Sequence, residues 1–537
     1  MRLRIAFLGL LLSSPFAVGQ PDKPPKTDLP PAKASAPTPL VAPSLAEPDG
    51  VPVSIDLASA LRLSTTSNLD VAQARAVVEQ ASAARQRAVS RMLPNVGLGV
   101  TYVDHAGRIQ QANGNILNVN RTSLAVGVTP TLTFDVADAI FLPLAARQVE
   151  EATRAGMVRV TNDTLLAIAE AYIAVLRGQR RLARIDLTLS FLSDDKPSAF
   201  RGGAKGLAQL VRDVVEAGGK EAFKSDLARV QVEMLRRNEE RAIVLQELET
   251  ASAELARLLR LDPRTRFRPV EEKWGVVPLP GTEWLLQDVE VLMAFALGNR
   301  PELAEFDALV RATGERERGA RYRPYLPQVQ VAYFDGGFGG GPTRNTSRNI
   351  VQDVHGAINT PITPTGEIAR FGHRSDLSVT VGWQLQGMGF GNAAERREAA
   401  AVNTQAKLRL LAAHDRVKAQ VVTTRAAVTR NNERLWTAWQ AISDKDGKPA
   451  GPVFESLRLN FERIRGGEGR PLEALDSIRG LNDTFEAFAN GLSEYDRARF
   501  RLLVVLGVPS AALYDPARMP APPTAQVSPV VGQPASR

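Results

Sequence analysis

The chain contains no cysteine. That excludes disulfides, a Cys-ligated metal and a lipid-bearing N-terminal cysteine. Its four histidines, His105, His355, His373 and His414, are scattered, and none sits at i, i+4 to another. Neither a helical metal pair nor a triad spacing is present. No later segment holds about 18 uninterrupted apolar residues, so no helical membrane anchor is expected. Charge of a single sign is never concentrated either. The net charge of +8 comes from acids and bases interleaved in stretches such as "ERREAAA" and "RRNEERA". Such mixing marks solvated helix faces, whereas a phosphate-binding surface needs a basic stripe. Nucleic acid is excluded as a partner on this ground. With no clustered acid, base or nucleophile, neither an enzyme nor a cofactor site is expected.

What is present begins with "MRLRIAFLGLLLSSPFAVGQ". A basic start, an apolar run and a small-residue cleavage site make residues 1–19 a secretory signal peptide. Residues 20–51 read as a Pro/Ala-rich linker and residues 512–537 as a disordered tail. Between them the chain repeats itself, with a first repeat over 52–263, a linking segment over 264–283 and a second repeat over 284–511. Each repeat opens with a helix ending in Leu-Pro, "NLDVAQARAVVEQASAARQRAVSRMLP" and "PELAEFDALVRATGERERGARYRPYLP". A strand, a polar Gly-rich loop (105–121 or 336–375) and a second strand follow. Long helical stretches start near 136 and 393 and run to the pairs Gly218-Gly219 and Gly466-Gly467. Another long helix closes each repeat.

The four strands, near 95–104, 122–134, 326–335 and 376–386, alternate strictly. Leu377, Val379, Val381, Trp383 and Leu385 share one face; Ser378, Thr380, Gly382 and Gln384 share the other. After the last strand comes "GMGFGN". Its spacing is not that of a dinucleotide-binding turn, and the strand before it is amphipathic rather than buried on both faces. Asn392 is expected to cap the next helix, with Glu395 as its capping-box partner. "GGFGGG" at 336–341 is expected to be a flexible hairpin loop.

Segments of about 10 residues with one greasy and one wet face suit a membrane barrel. Four strands cannot close one; about eight is the minimum, and open edges are not tolerated in lipid. Spanning strands therefore demand that several copies share a barrel. Ala393 to Gly466 is about 73 residues, which as one helix would extend about 110 Å. Such helices must bury their apolar stripe against neighbours. A soluble periplasmic coiled-coil structural protein is the alternative reading.

The ordered set of helix, Leu-Pro, strand, loop, strand and helix-to-Gly turn, given twice over 52–511, resembles the TolC-like outer-membrane efflux proteins. The most specific piece is "GGEGRPLEALDSIRGL", where Gly467 precedes Glu473 by six residues; in the first repeat Gly219 to Asp226 is one longer. The resemblance implies a membrane β-barrel of twelve strands, four from each chain of a homotrimer, above a long α-helical barrel that makes a coiled-coil periplasmic tunnel. It implies an outer-membrane location reaching into the periplasm. The function implied is passive export in a tripartite efflux or type I secretion system, with a periplasmic adaptor and an inner-membrane pump as partners. Gly218, Gly219, Arg465, Gly466 and Gly467 correspond to the adaptor-docking tips, and Glu473 and Asp476 to the pore constriction. The sequence departs from the family at "SDDKPSAFRGGAKG" (193–206) and "SDKDGKPAGP" (443–452), where Pro and Gly break helices that the family runs through.

Overall fold

The helices begin and end where local chemistry dictates. Asn68 accepts hydrogen bonds from the N–H groups of Asp70 (2.7 Å) and Val71, opening α2. Asp135 does the same for Ala137 and Asp138 at the head of α3. Proline stands at the start of three others, as Pro301, Pro452 and Pro471, where its missing N–H costs nothing. The computed structural model describes residues 52–110, 112, 114, 116–193, 205–216, 221–279, 283–342, 371–444, 448, 450–466, 469–509 and 512. In chain order these form β1 (Pro52–Ile55), α1 (Leu57–Ser67), α2 (Leu69–Ser90), β2 (Asn95–Gln110), β3 (Ile116–Asp135) and α3 (Val136–Leu192). Next come α4 (Leu207–Glu216), α5 (Glu221–Leu259), β4 (Arg266–Pro269), α6 (Val289–Asn299), α7 (Pro301–Tyr322) and β5 (Gln328–Pro342). The last are β6 (Gly372–Gly382), α8 (Phe390–Ile442), α9 (Pro452–Arg465) and α10 (Pro471–Val505).

Four strands form one antiparallel sheet in the order β2-β3-β5-β6, open at both edges. All four meet the helices at the same end, its foot, where the Val136 N–H donates to the Pro327 carbonyl. Each repeat supplies a hairpin, and β3 and β5 join the two. A separate parallel pair, β1 with β4, brings the start of the described chain against the middle segment. Sequence periodicity did not show this pair, since four residues are too few to display a period.

The strands outrun their expected lengths. Residues 105–110 and 116–121, expected in a loop, pair with one another, His105 opposite Arg121. Gly336 to Gly341, expected to be a flexible loop, instead pairs with β3 from Gly127 to Thr122. Backbone hydrogen bonds need no side chain, and glycine lets β5 approach closely: a Cβ on Gly336 would lie 2.2 Å from the Val126 carbonyl oxygen. Asn392 does not cap α8. Gly389 occupies that position, Asn392 is buried within the first turn, and Glu395 pairs with Arg323.

Two apolar cores hold the helices. One gathers Tyr172, Leu176, Leu255, Phe267, Trp284 and Phe500 around the β1–β4 pair. The other, built from Leu192, Leu207, Ile442, Leu457, Ile478 and Phe485, lies toward the Gly turns. Both descending helices stop where Pro and Gly were read as breaks, α3 at Leu192 and α8 at Ile442. At the second break the chain is back at its departure point by Gly451. The Gly451 N–H donates to the Ile442 carbonyl at 2.9 Å, and a Cβ there would lie 2.6 Å from the Ile442 carbonyl carbon. Only glycine lets α9 resume so close beneath α8. Among the described residues no helix is long and apolar enough to cross a membrane.

Candidate functional site

On one face of the sheet the apolar residues point into the open. Val96, Leu98, Val100 and Tyr102 on β2, and Leu377, Val379 and Val381 on β6, are all more than half exposed; Leu98 reaches 82%. Leu124, Val126 and Val128 of β3 stand opposite the β2 residues, and Leu132 and Phe134 opposite Val331 and Val329 of β5. The reverse face carries Thr129, Thr131, Thr133, Gln330, Ser378 and Thr380. The apolar stretch slides as it crosses the sheet. Its centre on β2, Gly99, lies opposite Gly127, whereas its centre on β6, Thr380, lies opposite Gln330 and through it Thr133. That is a slide of six residues, about 20 Å, over three strand spacings of about 4.8 Å each. The strands therefore tilt by about 50° from the normal of the belt, near the tilt of about 35–45° that strands adopt in closed membrane barrels.

The far end of the helical part holds the other expected site. Gly466 ends α9 by donating its N–H to the Glu462 carbonyl at 2.9 Å, and Arg465 before it is exposed. Gly218, Gly219 and Gly467 lie outside the described residues. Glu473, in the first turn of α10, accepts from Arg463 of α9 at 2.9 Å. Asp476, one turn on, is exposed, with Arg479 at 3.7 Å. The two acids are neighbours on α10 but serve differently, one tying the hairpin and one facing solvent. Asp476 belongs to a face formed by Leu472, Asp476, Gly480, Asp483 and Ala487, all exposed. Ala474, Leu475, Ile478, Leu481 and Phe485, on the opposite face, are buried. Asp483, two turns from Asp476, was not singled out from sequence; spacing of seven is the signal that would have found it.

Behind that face runs a buried ionic network. Glu233 of α5 accepts from Arg237 (2.8 and 2.6 Å) and from Arg479 of α10 (3.1 and 3.0 Å). Burial pushes its carboxyl up, but the two guanidiniums outweigh that and hold it below the usual range. Ionised Glu233 therefore stabilises the fold above the unfolded carboxylate range, about pH 4.3, and this is lost as pH falls through its lower folded value. We expect the protection of amides over 228–240, relative to their intrinsic exchange, to fall below about pH 4, and Glu233→Gln to shrink that acid step to the part due to Glu240, whose carboxyl Arg184 and Arg237 also hold low, while lowering protection at neutral pH. An unchanged acid step in Glu233→Gln would exclude this carboxyl as its source. Further up, Arg184 is fully buried among Glu240, Asn482 and Glu486. Arg180 is buried too, and donates to Asp496 (3.1 Å), Ser493 (3.0 Å) and the carbonyls of Lys273 (2.9 Å) and Gly275 (2.7 Å). Among the described residues no group of three or more acids or histidines could hold a metal ion.

Neither a family model nor a curated protein matches the sequence. Solved structures do match. OprN, an outer-membrane channel, superposes with a TM-score of 0.63 at 17% identity, over 84% of this chain and 89% of its own. VceC, an outer-membrane protein of Vibrio cholerae, gives 0.63 at 14%, over 84% and 96%. The MtrE outer-membrane channel of Neisseria gonorrhoeae gives 0.59 at 15%, over 84% and 88%. The chain has the TolC-like outer-membrane channel fold. At such identities the likeness is one of fold. The open four-stranded sheet and the long helices belong to that fold.

Proposed function

We propose that this protein is an outer-membrane export channel that extends into the periplasm. On this reading three copies pool their sheets into one twelve-stranded barrel, and the helices below form a tunnel. The duct is passive, without catalysis, and serves a tripartite efflux or type I secretion system. A periplasmic adaptor docks on the tips at Gly218, Gly219, Arg465, Gly466 and Gly467, above an inner-membrane pump. The single observation that carries the reading is the diagonal apolar belt. A sheet face with Leu98 and Leu377 bare is costly in water and at home in acyl chains. A soluble coiled-coil protein has no use for it. The other sheet face carries Thr129, Thr131, Thr133, Gln330, Ser378 and Thr380, with Phe334 among them, and a mainly polar face suits the wall of a water-filled lumen. The test is a detergent extract of outer membranes run in SDS with and without heating. An SDS-resistant trimer that heat converts to monomer supports the duct; a monomer at all temperatures, recovered from the soluble periplasmic fraction, overturns it.

The α10 face carrying Asp476 and Asp483 turns away from both cores, which suits a tunnel lining. Three copies place rings of carboxylate near the mouth, and Glu473 adds charge beside them. Glu473→Gln with Asp476→Asn is expected to lower cation selectivity in planar bilayers, and Asp483→Asn to lower it further. Identical reversal potentials in wild type and triple variant would remove these acids from the lumen.

A further inference from the structure

The turn after β6 adopts a conformation that methionine disfavours, and does so in full exposure. Gly387, Met388 and Gly389 have φ of 53°, 58° and 94°. Glycine takes these values freely; methionine does not. The turn is nonetheless held firmly. Buried Asn392 accepts from the Gln386 N–H at 2.8 Å, and Gly391 lies so close that a Cβ would sit 2.9 Å from the Gln386 carbonyl oxygen. The outcome is Met388 at 91% and Phe390 at 82% exposure, at the foot of an edge strand.

The other edge strand, β2, also has an apolar foot. Met92 and Leu93, just before it, are exposed. Within one chain the two feet are three strand spacings apart, about 14 Å, and do not meet. Between copies they do. β2 leaves its foot and β6 returns to its own, so pairing β6 of one copy with β2 of the next is antiparallel and continues the alternation of the sheet. That pairing sets foot beside foot.

We propose that Met388 and Phe390 form a knob that seats on Met92 and Leu93 of the neighbouring copy and locks the base of each strand pair between subunits. The proposal rests on the shared-barrel reading above. The occupant is a second copy rather than lipid because the antiparallel continuation from β6 to β2 sets the two exposed apolar feet side by side. Asn403 and Glu395 bind α7 residues or the turn after it (Thr313, Glu317 and Arg323), so they mark the α7 side of α8. Phe390 lies on the opposite side, in line with exposed Ala394, Ala401 and Leu408. From Phe390 to Leu408 that line descends about 27 Å along the helix, away from the sheet and beyond any bilayer. Exposed Arg397 shares that line, so it faces water below the foot.

A chain without cysteine makes the test direct. The double variant Met388→Cys/Leu93→Cys, oxidised in the membrane, is expected to give covalent dimers and trimers on non-reducing gels, and neither single variant is. Met388→Ser with Phe390→Ser is expected to lose the SDS-resistant trimer at temperatures where wild type keeps it. A wild-type trimer whose double variant fails to cross-link, with a fluorophore at position 388 quenched by brominated lipid, overturns the lock and leaves the barrel standing. Absence of any wild-type trimer removes the shared barrel and the lock together.

Discussion

Arg180→Leu is expected to destabilise the helical domain by about 3–5 kcal/mol, the usual cost of leaving a buried charge without its partner. Arg180 and Asp496 are both essentially unexposed. Burial lowers the guanidinium's pKa and raises the carboxyl's, and the opposite charge of each partner works against that shift. What makes the pair tolerable is that four of the five guanidinium N–H groups find acceptors. Arg180 reaches two backbone carbonyls, a serine and Asp496, while Asp496 also accepts from the Val277 N–H at 3.0 Å. These bonds fasten residues 273–277 across α3 and α10. Arg180→Leu would leave the carboxylate with only the Val277 N–H and Arg499, at 4.0 Å, and would take a donor from the Lys273 and Gly275 carbonyls at once. Adding Asp496→Leu removes the orphan charge and is expected to recover much of the loss, since buried pairs often trade evenly with apolar residues. It should stop short of wild type, because the Val277 N–H then lacks an acceptor, at about 1–3 kcal/mol. Denaturant unfolding followed by helix circular dichroism measures both. A single variant within 1 kcal/mol of wild type would show that the network contributes nothing.

The sequence made the strands visible because period two survives wherever both faces have a task. Val379 against Thr380 is such a case. It failed where one face changed task. Above the belt, His105, Gly336 and Arg374 carry no apolar alternation, yet their backbones pair as well as those below. The helix breaks were legible from Pro and Gly, whose effect is local. The return of Gly451 to Ile442 was not, since it is a tertiary contact between residues that the intervening loop separates. Asn392 shows the same limit: its side chain had two local partners to choose from, and Gln386 won over the first-turn amides. Arg180 and Arg184 look in sequence like any of the 66 basic residues, and only the fold reveals them as buried. Asp476 was singled out by its spacing from a Gly turn, and that Asp483 shares its exposed face was not legible, because an exposed face is defined by what packs behind it.

Val379→Arg is expected to abolish assembly, and Thr380→Arg, the next residue, to leave it largely intact. Both sit at the centre of the belt on β6, and both substitutions add the same charge, length and strand propensity. They differ in face alone. Val379 shares the exposed apolar face with Leu377 and Val381, while Thr380 shares the polar face with Ser378. An arginine on the lipid side near the midplane of an outer-membrane barrel costs about 2–4 kcal/mol. Three copies in one barrel raise that penalty to about 6–12 kcal/mol, comparable with the whole stability of a typical fold. On the lumen side the guanidinium stays in water and costs little. The measurement is the yield of SDS-resistant trimer from outer membranes for each variant. If this sheet stood in water, both positions would accept arginine equally, because charge on a solvated strand face is benign. Equal yields would therefore remove the bilayer from the structure and leave the bare apolar face without a cause. Loss at 379 with survival at 380 has a different meaning. Only an environment that is oily on one side of a single strand and wet on the other separates two adjacent residues, and a membrane around a water-filled pore provides it.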